Sequence, residues 1–310
     1  MKTAICTLYE RDYHYGVGVL SNSLYQNGFR GVIWVGYRGV LPPWAAPISN
    51  QQGYQEFEVA SGCVMRFVEI TTYKFLANYK PDFMLELLDH YAPEIDALFY
   101  FDPDIVNKRE WEFYERWVKY GITLCEDWYD HMPTNHPYRF MWMELAQKHG
   151  FTCQRELNWY YNSGFIGLPR TEKRILSVWQ KLLEMFEIEG LVDLKQFQLT
   201  NGYPYFQSDQ CVLNLALMVS NYPLSAVSCR GMDFGGITLD LMSHASGGQI
   251  KPWRKSLLKS ALGGIAPSLT DKAYWLYACV PIPVYSPQQQ FWKKFEMRFA
   301  SAIGRFIRRS

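Results

Sequence analysis

The segment Asp96-Ala-Leu-Phe-Tyr-Phe-Asp102 limits what this chain can fold into more than any other stretch. Five consecutive apolar residues are too few for a helix and lack the alternation of a half-wet strand. They read as a strand covered on both faces, the kind found inside an α/β sheet. This strand empties directly into Asp102-Pro103-Asp104, so two carboxylates sit at the carboxyl end of a core strand. Alternate residues of an extended turn can aim both carboxylates at one hard cation, and such a cation can bridge a diphosphate.

The surrounding pattern supports an α/β fold. Thr3 to Leu8 is a short apolar strand, followed by a polar turn at Glu10 to Asp12, a helix from about Val17 to Gln26 ended by Asn27-Gly28, and a second strand from Gly31 to Tyr37. Strand, helix, strand at the start of a chain opens a parallel sheet whose first loop can face a nucleotide. Further strands are expected within Phe57 to Ile70, at Thr123 to Cys125 and at Phe165 to Leu168. Helices are expected at Pro81 to Tyr91, Trp111 to Tyr120, Phe140 to Lys148, Glu172 to Glu187 and Gln210 to Val219. With 310 residues and 48% apolar residues the chain can bury one large core or two small ones.

A formal net charge of +1 gives no overall field of the kind that gathers nucleic acid. The amino terminus reaches charged residues too soon for a secretory signal and no run is long enough to span a bilayer, so a cytoplasmic protein is expected. Seven scattered cysteines without a CxxC pair are expected to be reduced and mostly buried, not zinc ligands.

A second motif lies late in the chain: Met242-Ser-His244-Ala-Ser-Gly247-Gly-Gln-Ile-Lys251-Pro252-Trp253. Imidazole suits a first-row metal, and an ammonium fixed by a following Pro-Trp suits a phosphate. Taken separately, a capping His and a surface Lys would be the plainer reading; together they supply what a metal-diphosphate site needs. The run Asp102 to Val106 also fits the nucleophile motif of haloacid-dehalogenase-like phosphatases. In those enzymes that motif opens the domain and a paired-acid motif follows, and neither holds in this sequence.

The two motifs together resemble the glycogenin-like glycosyltransferases of family 8, which share a DxD after a strand and a late HxxGxxKPW. This chain carries one extra residue between Gly247 and Lys251. The resemblance implies a Rossmann-like GT-A fold with a mixed, mainly parallel sheet, metal ligands Asp102, Asp104 and His244, and manganese or magnesium as the ion. It also implies a nucleotide-sugar donor, UDP-glucose or UDP-galactose, held in part by Gly247 and Lys251. Tyr161-Asn162-Ser163-Gly164 resembles the family's segment beside the donor sugar, and Ser208-Asp209-Gln210 with Asn214 resembles its DQxxLN segment. Asn162, Asp209 and Gln210 are therefore the catalytic candidates and Ser163 a donor contact; capping of the following helix is the alternative for Asp209. Thr7-Leu8-Tyr9 resembles the nucleotide-binding first loop, with Tyr13 or Tyr15 available to stack on the base and Lys74 to meet the donor. Retention of anomeric configuration is the family's outcome.

The loops that would choose an acceptor match nothing, which leaves a glycan, a lipid-linked or a protein acceptor open. A catalytically silent nucleotide-sugar or glycan binder on the same scaffold is the alternative from a different class. Residues 1–285 are expected to form the catalytic domain and 286–310 a basic amphipathic helix. In that helix Phe291, Trp292, Phe295, Phe299, Ala302, Ile303, Phe306 and Ile307 fall on one half of the wheel, and Lys293, Lys294, Arg298, Arg305, Arg308 and Arg309 oppose a single acid, Glu296. This pattern predicts a helix lying in an anionic membrane surface, on the inner face of the cell membrane, with docking through the aromatic face as the alternative.

Overall fold

The computed structural model describes residues 1–46, 49–128, 132–196, 199–200, 206–246 and 250–306. In chain order the strands and helices are β1 (Thr3–Glu10), α1 (His14–Gln26), β2 (Gly31–Arg38), β3 (Ser49–Gln51), β4 (Tyr54–Ala60), β5 (Cys63–Glu69), α2 (Lys80–Glu86), β6 (Ala97–Phe101), β7 (Ile105–Asn107), α3 (Trp111–Trp117) and β8 (Ile122–Glu126). They continue with α4 (Pro137–Lys148), β9 (Tyr161–Pro169), α5 (Arg174–Ile188), β10 (Leu199–Thr200), β11 (Phe206–Gln207), α6 (Ser208–Met218), β12 (Leu224–Val227), β13 (Met242–His244), α7 (Leu257–Leu262), α8 (Leu269–Leu276) and α9 (Pro287–Phe306). The central sheet has nine strands in the order β12-β8-β9-β6-β1-β2-β5-β4-β3. It is mixed and largely parallel, with β9 and β4 running against their neighbours, consistent with a GT-A Rossmann-like fold.

The chain divides into two compact units. The first comprises Met1–Leu8, Ile70–Phe101 and Phe113–Cys229. Its inner strand β6 is buried at every position and pairs in parallel with β1 and antiparallel with β9, as its unbroken apolar run requires. Phe101 meets Phe165 edge-on at 4.9 Å and Trp117 stacks on Phe165 at 5.6 Å, so aromatic packing seals this sheet against α3. β9 begins at Tyr161, four residues before the expected start, because Asn162 and Tyr161 pair with Cys125 and Glu126 of β8 beyond a register shift. The Asn162-Ser163 motif therefore lies on a strand.

The second unit comprises Tyr9–Glu69, Asp102–Glu112 and Arg230–Ser310. Phe57 to Ile70 resolves into two antiparallel strands, β4 and β5, joined at Ser61-Gly62. α1 starts at His14, earlier than expected, directly after a tight turn at Arg11–Tyr13. A Cβ on Gly16 would stand 2.0 Å from the carbonyl oxygen of Pro103, so only glycine lets α1 approach the Asp102-Pro103-Asp104 turn so closely. β7 and β13 form a separate antiparallel ribbon with His244 opposite Ile105.

α9 docks on α7 within this unit. The docked sector is small and polar: Ala300 is buried, a Cβ on Gly304 would meet Ala266 at 2.6 Å, and Glu296 accepts a 3.0 Å hydrogen bond from the Leu258 amide. Lys293 also belongs to it, donating to the Lys255 carbonyl at 3.2 Å. The aromatic residues Phe291, Trp292, Phe295 and Phe299 stay exposed. Docking through the aromatic face is thus corrected: the helix has three sectors, docked, aromatic and basic, in place of two halves. Ile307, Arg308 and Arg309 lie outside the described residues. No described helix is long and apolar enough to cross a membrane.

Candidate active site

The second unit brings Asp102, Asp104 and His244 together, with one ligand atom of each lying within 4.8 Å of the others. Local structure explains the convergence. The Ile105 amide donates to the Asp102 carbonyl at 3.0 Å, closing a turn whose second position is Pro103, where a fixed φ is an advantage. Asp104 then leads straight into β7, and the ribbon register places His244 beside it, extended by a 3.1 Å hydrogen bond from the Ala245 amide to the Asp104 carbonyl. His244 Nε2 lies 3.2 Å from Asp104 Oδ1 and 3.7 Å from Asp102 Oδ2. Its Nδ1 is buried and has no partner among the described residues.

Lys251 completes the cluster. Its ammonium donates to Asp104 Oδ2 at 2.6 Å and to the Ala245 carbonyl at 2.5 Å. Burial alone would raise the Asp104 pKa, but Lys251 and His244 outweigh it and hold the carboxyl well below the usual carboxylate range. Burial likewise opposes the charge on Lys251, yet Asp104 and Tyr13 leave it raised, so the lysine stays protonated at neutral pH. The Pro252-Trp253 anchor works as its residue types suggest: the Trp253 indole donates to Asp12 at 3.0 Å, and its ring meets Tyr13 edge-on at 5.3 Å. Tyr13 stands with its face 5.8 Å from Lys251. Tyr15, the other base-stacking candidate, is stacked on Tyr285 at 5.3 Å. Two carboxylates and one imidazole suit a divalent first-row cation, and Asp102, more open than its partners, leaves a side for phosphate oxygens.

A second polar cluster is built wholly within the first unit. Asp209 accepts on Oδ2 from the Ser163 hydroxyl at 2.6 Å and from Lys80 Nζ at 3.0 Å, and both side chains of the ion pair are almost fully buried. Asn162 donates to Asp127 at 2.7 Å and to Gln210 at 3.1 Å, while Gln210 donates to the same Asp127 oxygen at 3.1 Å. Asn214 clamps the backbone of Tyr161 from both sides, at 2.8 and 2.9 Å. Lys80 and Asp127 belong to this cluster and are absent from the motifs read in the sequence; no motif marks them, and only the fold brings them to Asp209 and Asn162.

The remaining candidates are dispersed. Lys74 is buried in an ion pair with Asp82 at 2.9 Å. Thr7 and Leu8 are buried on β1, and Thr7 Oγ1 has no hydrogen-bond partner among the described residues. The Tyr9 hydroxyl donates to the Val40 carbonyl at 3.0 Å. Gly247 lies outside the described residues. Four of the seven cysteines are buried, and all are free thiols.

Solved structures resemble the chain over nearly its whole length. The crystal structure of the glycosyltransferase GlyE from Streptococcus pneumoniae TIGR4 superposes with a TM-score of 0.52 over 98% of this chain, at 14% identity. At that identity the likeness is one of fold. The chain spans 64% of the GlyE chain. No family profile matches the sequence, and no curated protein matches it.

Proposed function

We propose that this chain is a metal-dependent glycosyltransferase that moves a hexose from a UDP-sugar, UDP-glucose or UDP-galactose, to a glycan, a lipid-linked or a protein acceptor. The observation that carries the reading is the Asp102, Asp104 and His244 cluster with Lys251 inside it. On a glycosyltransferase fold, that set of groups suits a divalent cation and a diphosphate leaving group. Asp102, Asp104 and His244 would hold manganese or magnesium, whose charge, when bound, stabilises the departing diphosphate. Lys251 then supplies a second, movable positive charge for phosphate oxygens, and Tyr13 beside it offers a ring for the base.

Asp209, Asn162 and Gln210 are assigned to the sugar. Both contacts to the Asp209 carboxylate fall on Oδ2, held by Lys80 and Ser163, which orients Oδ1 as an acceptor for a sugar hydroxyl. Retention of configuration, through departure and attack on one face, completes the resemblance to the glycogenin-like enzymes. The reading assigns residues 1–285 to catalysis and 286–310 to a peripheral hold on the membrane, where a lipid-linked acceptor would be presented.

The test is donor turnover: protein with manganese and a panel of nucleotide sugars, following release of free nucleotide, beside D104A. Metal-dependent release from one donor that D104A abolishes supports the reading and identifies the sugar. Nucleotide-sugar binding without release, even with acceptors added, identifies a silent binder instead.

A further inference from the structure

The last part of the second unit carries exposed apolar side chains in an unusual charge setting. Phe291, Trp292, Phe295 and Phe299 are 64%, 58%, 46% and 51% exposed. They touch one another, Trp292 edge-on to Phe295 at 6.1 Å and Phe295 against Phe299 at 4.4 Å, and so form one continuous aromatic sector of α9. α7, on which α9 packs, exposes Leu258 and Leu262 as well. These residues do not serve the fold of α9, because its docked sector is the small and polar one around Ala300 and Gly304.

Charge identifies the occupant. Between residues 250 and 304 the sequence holds two acids, Asp271 and Glu296. Each is already neutralised by a lysine at 2.6 Å, Lys255 for Asp271 and Lys293 for Glu296. Among the residues whose exposure is described, the exposed charges that remain on α7, α8 and α9 are Lys259, Lys272, Lys294 and Arg298, all of one sign. A second copy of the chain laid on this surface would bring cations opposite cations, whereas a sheet of lipid phosphates meets them with the opposite charge. Phe and Trp rings on a helix that cannot span the bilayer suit the boundary between headgroups and acyl chains.

We propose that the aromatic sector of α9 rests on an anionic lipid bilayer, with Phe291, Trp292, Phe295 and Phe299 in the interfacial layer and Lys294 and Arg298 against the headgroups. The inference names the partner of the membrane reading given above. It stands apart from the transferase chemistry, because binding is measured with no donor present.

The experiment is vesicle co-sedimentation of the full-length protein with phosphatidylcholine vesicles, with and without phosphatidylglycerol. The protein is expected on the anionic vesicles only, and to leave them as salt rises. K294Q/R298Q is expected to weaken that binding by about fivefold per charge removed. F295S/F299S is expected to remove it by more than about tenfold even at low salt. Both variants change exposed side chains, and unaltered thermal melts show that their fold is intact. Absence of binding to anionic vesicles, or binding that neither variant changes, overturns the proposal. So does a dimer in sedimentation equilibrium that F295S/F299S dissolves while lipid binding is missing.

Discussion

Lys251 occupies one of the two oxygens of a carboxylate that a metal ion would use, and leaves Asp104 Oδ1 on the His244 side. Its ammonium sits 2.6 Å from Asp104 Oδ2 and, being held protonated by that same carboxylate, does not leave by titration near neutral pH. A cation held at Asp104 Oδ1 would share that carboxylate with the ammonium, so the two positive charges oppose each other, and a diphosphate would offer Lys251 another partner. K251M is expected to tighten manganese binding in the absence of nucleotide and to weaken UDP binding, each by about tenfold or more, the range for one charged hydrogen bond; calorimetric titration of each ligand alone checks this. Lys80 makes a different prediction. K80M strands a buried carboxylate and is expected to cost about 3–5 kcal/mol in urea unfolding, with part recovered in K80M/D209N. The convergence of Asp102, Asp104 and His244 was legible in the sequence because these residues are spelled out in two compact motifs. Lys80 was not, because it meets Asp209 across 129 positions and nothing near it announces the partner. Lys74, singled out by a weak match, turns inward to Asp82.

At the scale of elements, the approach of α1 to the Asp102-Pro103-Asp104 turn is the constraint most open to test. G16A places a methyl group where the Pro103 carbonyl stands, so a loss of about 1–3 kcal/mol in thermal unfolding is expected together with weaker manganese binding. The docking of α9 gives a pH prediction. Burial would raise the Glu296 pKa, but Lys293 and the Leu258 amide lower it below the ordinary glutamate value. Its contribution is then present above that ordinary value and lost as pH falls through the lowered one. Hydrogen exchange of the α9 amides should accelerate on acidification, and E296Q should show raised exchange at neutral pH that converges with the unaltered protein in acid. The sequence placed most strands and helices correctly because long apolar runs and proline breaks are local signals. It misjudged how α9 docks because hydrophobic periodicity identifies the greasy face of a helix without saying whether the fold uses it. Here Ala300 and Gly304, small enough for close packing, took that role.

For the molecule as a whole, the two units are each assembled from three separate segments of chain that alternate along the sequence. Neither can be excised as a continuous fragment, and a chain ending at residue 229 lacks the third segment of the second unit, with His244 and Lys251 in it. Such a truncation is expected to show no cooperative melt and no manganese binding, by calorimetry and metal titration. The α/β class was legible from the opening strand, helix and strand; the alternation of units was not, because it depends on pairings between segments far apart in the chain. It also governs when the cluster of Asp102, Asp104 and His244 can first exist. Lys251 follows Asp104 by 147 residues. During synthesis at 5–20 residues per second, roughly 7 to 30 seconds separate the emergence of the two carboxylates from that of the groups that face them. A nascent chain thus carries a bare acidic turn until His244 and Lys251 have been made, and a molecule released before then lacks the groups that face those carboxylates.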